Sequence, residues 1–171
     1  MKPEYFILDC DGVLTDGSFY YNKDGKIMKK FGPDDGDSLN SLKKLTNLEI
    51  HFISGDWRGI DITRQRCADM GFGVELVQVK NRLKYLEQYN IEKTIFMADG
   101  ICDYFALKGA GYSIVPNDAS IYIKGIVDYV TPSNGGSRSV SEACIHIFNK
   151  FFYKNREVID EETIYKFLGE D

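Results

Sequence analysis

A chain of 171 residues, 43% hydrophobic and 27% charged, has the composition of one globular domain and not of a disordered segment. Its 21 basic and 26 acidic residues leave a net charge of -5 with no basic stripe, which argues against nucleic acid as a partner. No apolar stretch approaches the ~20 residues that span a bilayer, and Met1-Lys2-Pro3-Glu4 carries no signal-peptide apolar region, so no membrane association is expected. Cys10, Cys67, Cys102 and Cys144 are dispersed and neither His51 nor His146 stands at ligand spacing from them, which predicts reduced thiols, a cytoplasmic location and no zinc.

The first element is a short apolar strand, Tyr5 to Leu8, that runs into Asp9, Cys10, Asp11 and Gly12. Alternation along a strand puts residues i and i+2 on one side, so Asp9 and Asp11 point into one small space. At ~4 Å two like charges repel by about 4 kcal/mol even at an effective dielectric near 20, and a hard divalent cation such as Mg²⁺, which binds through one or two carboxylates plus substrate phosphates, is the usual relief. Alone, the pattern reads as a strand-ending turn; the rest of the chain decides otherwise.

Ser18 to Tyr21 and Ile27 to Phe31 flank Asn22-Lys23-Asp24-Gly25, a hairpin signal. A helix begins at about Asp37, with Leu39, Leu42 and Leu45 on one stripe. Then follow strand Ile50 to Ile53, helix Ile60 to Met70, strand Val74 to Val77, a helix carrying Leu83, Leu86 and Tyr89, and strand Thr94 to Met97. Helix Tyr104 to Lys108, strand Ser113 to Val115, a short helix or turn at Ile121 and Ile123, and strand Val127 to Val130 continue the alternation. Ser139 to Tyr153 reads as helical, and Glu161 to Leu168 as a weak last helix that frays or packs on a partner.

Strands alternating with helices predict an α/β fold with a central parallel sheet covered on both faces. Ligands in such sheets bind outside the carboxyl ends of the strands, where Asp9/Asp11, Ser54-Gly55 and Asp99 all fall. No repeat or linker divides the chain, so one domain over 1–171 is expected, with a core at 4–150, the hairpin at 18–31 and a helical tail at 151–171.

The run from Asp9 to Gly17, the hairpin after it, Phe31 with Asp35-Gly36, and Gly135-Gly136 before a helix resemble the haloacid dehalogenase (HAD) superfamily of phosphotransferases. More narrowly they resemble its capless branch of 3-deoxy-D-manno-octulosonate 8-phosphate and nonulosonate 9-phosphate phosphatases. The resemblance spans roughly residues 4 to 150. It implies a Rossmann-like three-layer α/β/α core without a cap domain and a Mg²⁺-dependent phosphomonoesterase acting on a phosphorylated sugar acid. Asp9 would be the nucleophile that forms an aspartyl-phosphate, and Asp11 the general acid/base. Mg²⁺ would be held by the Asp9 side chain, the Asp11 backbone carbonyl and Asp99, with Asp103 as the motif's last acid. Ser54 and the Gly55 backbone would grip the phosphoryl oxygens, and Lys80 would neutralise the phosphate, with Arg82 as the second candidate. The resemblance also implies a homotetramer in which the hairpins meet and the segment 135–139 reaches a neighbouring site, so that Arg138 contacts substrate in trans.

The chain departs from the family pattern where Gly100 replaces a middle acid and Asp56 replaces a base, and in the lysine segment, which is one residue out of register. Weaker metal binding is expected from Gly100, and Arg58 could stand in for the missing base. A catalytically weak HAD-like module that binds a phosphosugar or scaffolds an oligomer is the alternative these departures motivate. Cys10 and Cys102 read as small buried packing residues, Trp57 as a lining of the entrance or as helix packing, and Lys29-Lys30 as a solvated face.

Overall fold

The computed structural model describes residues 2–155 and 157–169; residue 156 and the two ends of the expected 1–171 domain lie outside the described residues. In chain order the elements are β1 (Tyr5–Asp9), β2 (Thr15–Asn22), β3 (Gly25–Phe31), α1 (Asp35–Thr46), β4 (Glu49–Ser54), α2 (Ile60–Asp69), β5 (Val74–Leu76), α3 (Arg82–Leu86) and β6 (Thr94–Met97). They continue with α4 (Tyr104–Gly109), β7 (Tyr112–Val115), α5 (Ile121–Lys124), β8 (Tyr129–Val130), α6 (Ser139–Ile147) and α7 (Glu161–Leu168).

Six strands form one parallel sheet in the order β5-β4-β1-β6-β7-β8, with β1 between β4 and β6. Phe6, Ile7 and Leu8 stand in register with Ile50, His51 and Phe52 of β4 and with Ile95, Phe96 and Met97 of β6, apolar neighbours except for His51, because a strand covered on both faces has little room for polar side chains. Alternation sorts them: Phe6 and Leu8 join the core under α1, α6 and α7, whereas Ile7 joins the core under α3, α4 and α5. Each such large side chain contributes roughly 1.5–3 kcal/mol when fully buried. No cap domain interrupts the chain, since only the hairpin and α1 lie between Gly17 and β4.

The hairpin β2–β3 is a separate two-stranded sheet whose turn is closed by Asn22, the Oδ1 of which accepts from the backbone N–H groups of Asp24 and Gly25. Several elements differ from the expectation: the first hairpin strand begins three residues early, at Thr15, and the strand at Val74 stops at Leu76. The helix at Leu83 ends at Leu86, the last strand keeps only Tyr129 and Val130, and the helix from Ser139 turns π-helical at Phe148–Tyr153. The last helix is formed and docked on its own chain. Asp160 caps it by accepting from the Thr163 N–H at 3.0 Å, and Phe167, 2% exposed, packs into the chain's own core.

Candidate active site

Since β4, β1 and β6 are adjacent and parallel, the segments that leave their carboxyl ends converge: Asp9 to Gly12 from β1, Ser54 to Asp56 from β4, and Asp99 two residues beyond β6. After β1 the chain folds into a tight loop in which the N–H groups of Val13, Leu14 and Thr15 all approach the Cys10 carbonyl. Gly12 permits the turn with a φ of +79°, and a β-carbon there would lie 2.1 Å from Oδ2 of Asp99. On the other side Gly135 and Gly136 press on the same loop. The Gly136 N–H donates to the Val13 carbonyl at 3.0 Å, and a β-carbon on Gly135 would stand 2.0 Å from the Gly12 carbonyl oxygen.

Asp9 is buried. Its Oδ1 accepts from the Cys10 N–H at 2.8 Å and its Oδ2 from Nη1 of Arg82 at 2.7 Å. The same Arg82 nitrogen donates to Oδ1 of Asp103 at 2.5 Å. Asp9, Asp99 and Asp103 each offer a carboxylate oxygen within 4.8 Å of the other two. Three acids against one guanidinium leave an excess of negative charge in a buried space. Burial pushes the Asp9 carboxyl up to about 7 and the Asp99 carboxyl up to about 6, and it raises that of Asp103, with acid–acid repulsion adding to it in Asp9 and Asp99 and Arg82 opposing it in all three. Burial works against the Arg82 charge, but Asp9 and Asp103 outweigh it and hold the guanidinium firmly protonated. Oxygen-only donors, crowded, buried and short of positive charge, fit a hard divalent cation, and Gly12 keeps clear the space beside Asp99 that a side chain would fill.

Asp11 leaves the acid cluster and turns to the β4 side. Its Oδ2 accepts from Ser54 Oγ at 3.2 Å, while Oδ1 lies 2.7 Å from Nζ of Lys29. Ser54 is buried, and its Oγ also accepts the Asp56 N–H at 3.1 Å. The structure thus brings together Asp9, Asp11, Ser54, Gly55, Asp99, Asp103 and Arg82. It does not bring Lys80 to them. The tight 3₁₀ turn Val79–Asn81 leaves Lys80 exposed, lining a surface depression with Glu75, Gln78, Lys84 and Gln88, and the inward-facing cation is Arg82 at the start of α3. The expectation for Lys80 is corrected to Arg82, two residues on. Arg138 is exposed, and its Nε donates to Asp34 of its own chain at 2.6 Å.

Lys29 is the residue that sequence reasoning missed. It is not solvated: its side chain is 0% exposed, because strand alternation turns Lys29 to the face opposite Lys30, which is exposed and pairs with Asp16. That alternation was the available signal. Asp56, the acid found where the family has a base, is paired with both Lys26 and Lys29 of the hairpin. Cys10 is buried as expected, whereas Cys102 is exposed; all four cysteines are free. Trp57 is 63% exposed with the Arg58 guanidinium stacked 4.6 Å from its ring centroid, so it does not pack under the following helix.

A parallel α/β sheet with a buried Asp-x-Asp loop, a serine after the neighbouring strand and an acid pair after the next defines a capless phosphatase of the HAD class. No family model matches the chain. It is 31% identical over 145 residues to the 3-deoxy-D-manno-octulosonate 8-phosphate phosphatase of Haemophilus influenzae, covering 81% of this chain and 79% of that protein. The chain belongs to the 3-deoxy-D-manno-octulosonate 8-phosphate phosphatase family of phosphoric monoester hydrolases. The cobalt-bound structure of the Haemophilus influenzae enzyme superposes with a TM-score of 0.76 at 29% identity, over 88% of this chain and 90% of that one. The fold is also that of the Moraxella catarrhalis phosphatase in complex with a magnesium ion, a phosphate ion and a KDO molecule, at a TM-score of 0.75 and 24% identity over 88% and 90% of the two chains.

Proposed function

We propose that this chain hydrolyses the phosphate ester of a small sugar acid, of the 3-deoxy-octulosonate or nonulosonate type, in a Mg²⁺-dependent reaction through an aspartyl-phosphate on Asp9. The observation that carries the proposal is the paired geometry of Asp9 and Asp11. One carboxylate sits in the acid cluster against Arg82, and the other, two residues on, is held apart from that cluster by Ser54 and Lys29. Phosphate-monoester hydrolysis is among the slowest uncatalysed reactions, needing up to ~10²¹-fold acceleration, and splitting it through a covalent carboxylate intermediate is a general remedy.

In the first half an oxygen of Asp9 forms a bond to phosphorus while the bond to the sugar oxygen breaks, and Asp11 gives its proton to that departing oxygen. In the second half Asp11, now a carboxylate, takes a proton from water as the water oxygen attacks phosphorus. The bond to Asp9 breaks, and phosphate leaves. At the end of β4 the Gly55 N–H and Ser54 Oγ would hold phosphoryl oxygens, Ser54 turning its one hydrogen from Asp11 to the bound phosphate, and Arg82 fixes the Asp9 carboxylate and supplies positive charge beside it. Asp9, Asp99 and the Asp11 backbone carbonyl would hold Mg²⁺, with Asp103 behind them tied to Arg82. When bound, the ion supplies charge neutralisation to the phosphoryl oxygens.

The assembly proposed with this reading is a homotetramer formed through the hairpin. Phe19, Tyr20, Tyr21, Ile27 and Met28 are all exposed on a two-stranded sheet that is too small to be stable alone. The free thiols support a cytoplasmic location, and among the described residues no helix is long and apolar enough to cross a membrane.

The test is phosphate release from a panel of sugar-acid phosphates and simple phosphomonoesters, with Mg²⁺ or with EDTA, by wild type and Asp9→Asn. Release that requires Mg²⁺ and vanishes in the variant is the expected result. Tight phosphosugar binding without any release above the variant would replace this reading with the weak binding module that Gly100 and Asp56 motivate.

A further inference from the structure

Lys29 reaches from the middle of β3 into the site of its own chain. Its ammonium lies 2.7 Å from Asp11 Oδ1, 2.8 Å from Asp56 Oδ2 and 2.8 Å from Thr63 Oγ1 on α2. An ammonium has three hydrogens, and here three acceptors surround it, on the β1 loop, the β4 loop and α2. A buried lysine is kept charged only by such partners, and two carboxylates and a hydroxyl are more than fastening the hairpin requires, since Lys26 already ties it to Asp56. Lys26 makes no contact with Asp11; it lies over the Phe19 ring at 3.4 Å.

The consequence falls on Asp11. Ser54 Oγ donates to Oδ2 and the Lys29 ammonium is ion-paired with Oδ1 across 2.7 Å, so this carboxylate is held between the sheet and the hairpin. Proton transfer to a departing oxygen depends on where the donor oxygen stands, and among the described residues Ser54 and Lys29 are the hydrogen-bond and ion-pair partners of the Asp11 side chain, which lies on a loop outside the sheet. We infer that Lys29 is a positioning residue for Asp11, aiming its carboxyl group at the leaving oxygen, so that the hairpin is part of the active site of its own subunit as well as an oligomer contact. This rests on the phosphatase reading above.

The experiment compares kcat/KM for an alkyl phosphate and for p-nitrophenyl phosphate, in the presence of Mg²⁺, for wild type, Lys29→Met, Lys29→Arg and Lys26→Met. An alkoxide needs a proton to depart and p-nitrophenolate does not, so misplacing Asp11 penalises only the alkyl ester. Lys29→Met is expected to lose about 10²-fold on the alkyl phosphate and much less on the aryl one. Lys29→Arg should recover part of the difference, and Lys26→Met should lower both esters equally or neither. Equal losses on the two esters in Lys29→Met, or the same leaving-group bias in Lys26→Met, would overturn the inference, because a loosened hairpin has no reason to distinguish leaving groups. Should circular dichroism show Lys29→Met unfolded, Thr63→Val, which removes one of the three acceptors, must show the same bias in weaker form, and its absence overturns the inference. A wild type inactive on both esters fails the phosphatase reading and this inference with it, whereas an active wild type with an unchanged Lys29→Met fails this inference alone.

Discussion

Nη1 of Arg82 lies 2.7 Å from Oδ2 of Asp9, an ion pair buried on both sides in which the same nitrogen also serves Asp103. Removing the guanidinium leaves two buried carboxylates facing each other and Asp99. Breaking a buried pair from one side costs about 3–5 kcal/mol, so Arg82→Ala should melt well below wild type and lose phosphate release, and Mg²⁺ should recover part of the lost thermal stability by supplying charge to the same acids. Lys80→Ala, at an exposed position, should change neither by more than about twofold. Thermal melts with and without Mg²⁺, beside activity assays, check both variants.

Gly12 and Asp99 set the second prediction. Alanine at position 12 would carry a φ of +79°, costing roughly 1–2 kcal/mol, and would drive its β-carbon to 2.1 Å from the Asp99 carboxylate. The carboxylate must move, and with it one wall of the metal-binding space. Gly12→Ala is expected to fold but to bind Mg²⁺ at least tenfold more weakly, read by calorimetric titration; unaltered Mg²⁺ affinity would remove Asp99 from the metal site.

Asp35, buried at the start of α1 with one oxygen lacking a hydrogen-bond partner, predicts a pH dependence of stability. Burial pushes its carboxyl up to about 7 from 3.8, and the Ser141 N–H bond only partly opposes this. The sign follows from linkage. Between about pH 4 and pH 7 the unfolded chain has lost this proton and the folded chain still holds it, so stability falls as pH rises across that window and levels off above it. The full span is on the order of 4 kcal/mol. Asp35→Asn should make the slope shallower, the buried acids Asp9 and Asp99 still contributing theirs, and be the more stable protein at pH 8, measured by urea denaturation at pH 4.5 and pH 8.

The hairpin carries the fourth. Tyr20 and Met28 are cross-strand partners, and both are exposed. In the proposed tetramer they are covered, and a charge there would be left without water. Tyr20→Glu with Met28→Glu should lower the sedimentation mass from four chains toward one at micromolar concentration, while Lys26 and Lys29 still hold the hairpin on its own chain. An unchanged mass would move the interface elsewhere.

Most of the fold was legible from local pattern. Thr94 to Met97 and Glu161 to Leu168 come out at the expected residues because an apolar strand between turns, or an amphipathic stripe between an Asp cap and a Gly stop, is a signal confined to its own segment. Asp9, Asp11, Ser54 and Asp99 were legible for a related reason: each ends or closely follows a core strand, and the parallel alternation alone brings those strand ends to one edge. What the sequence alone determined, therefore, is the sheet, its two apolar faces and the acids at its carboxyl edge.

The tertiary structure decided which cations meet those acids. Lys80 and Arg82 differ by two positions in a segment that has no strand or helix period to fix its direction, and the 3₁₀ turn before α3 sends one to solvent and the other to Asp9. Lys29 and Asp56 read separately as a surface charge and a lost base; only the folding of the hairpin over α2 makes them partners around Asp11. Charge pairing across distant segments depends on how elements pack against one another, and that information is held in no single stretch of the chain.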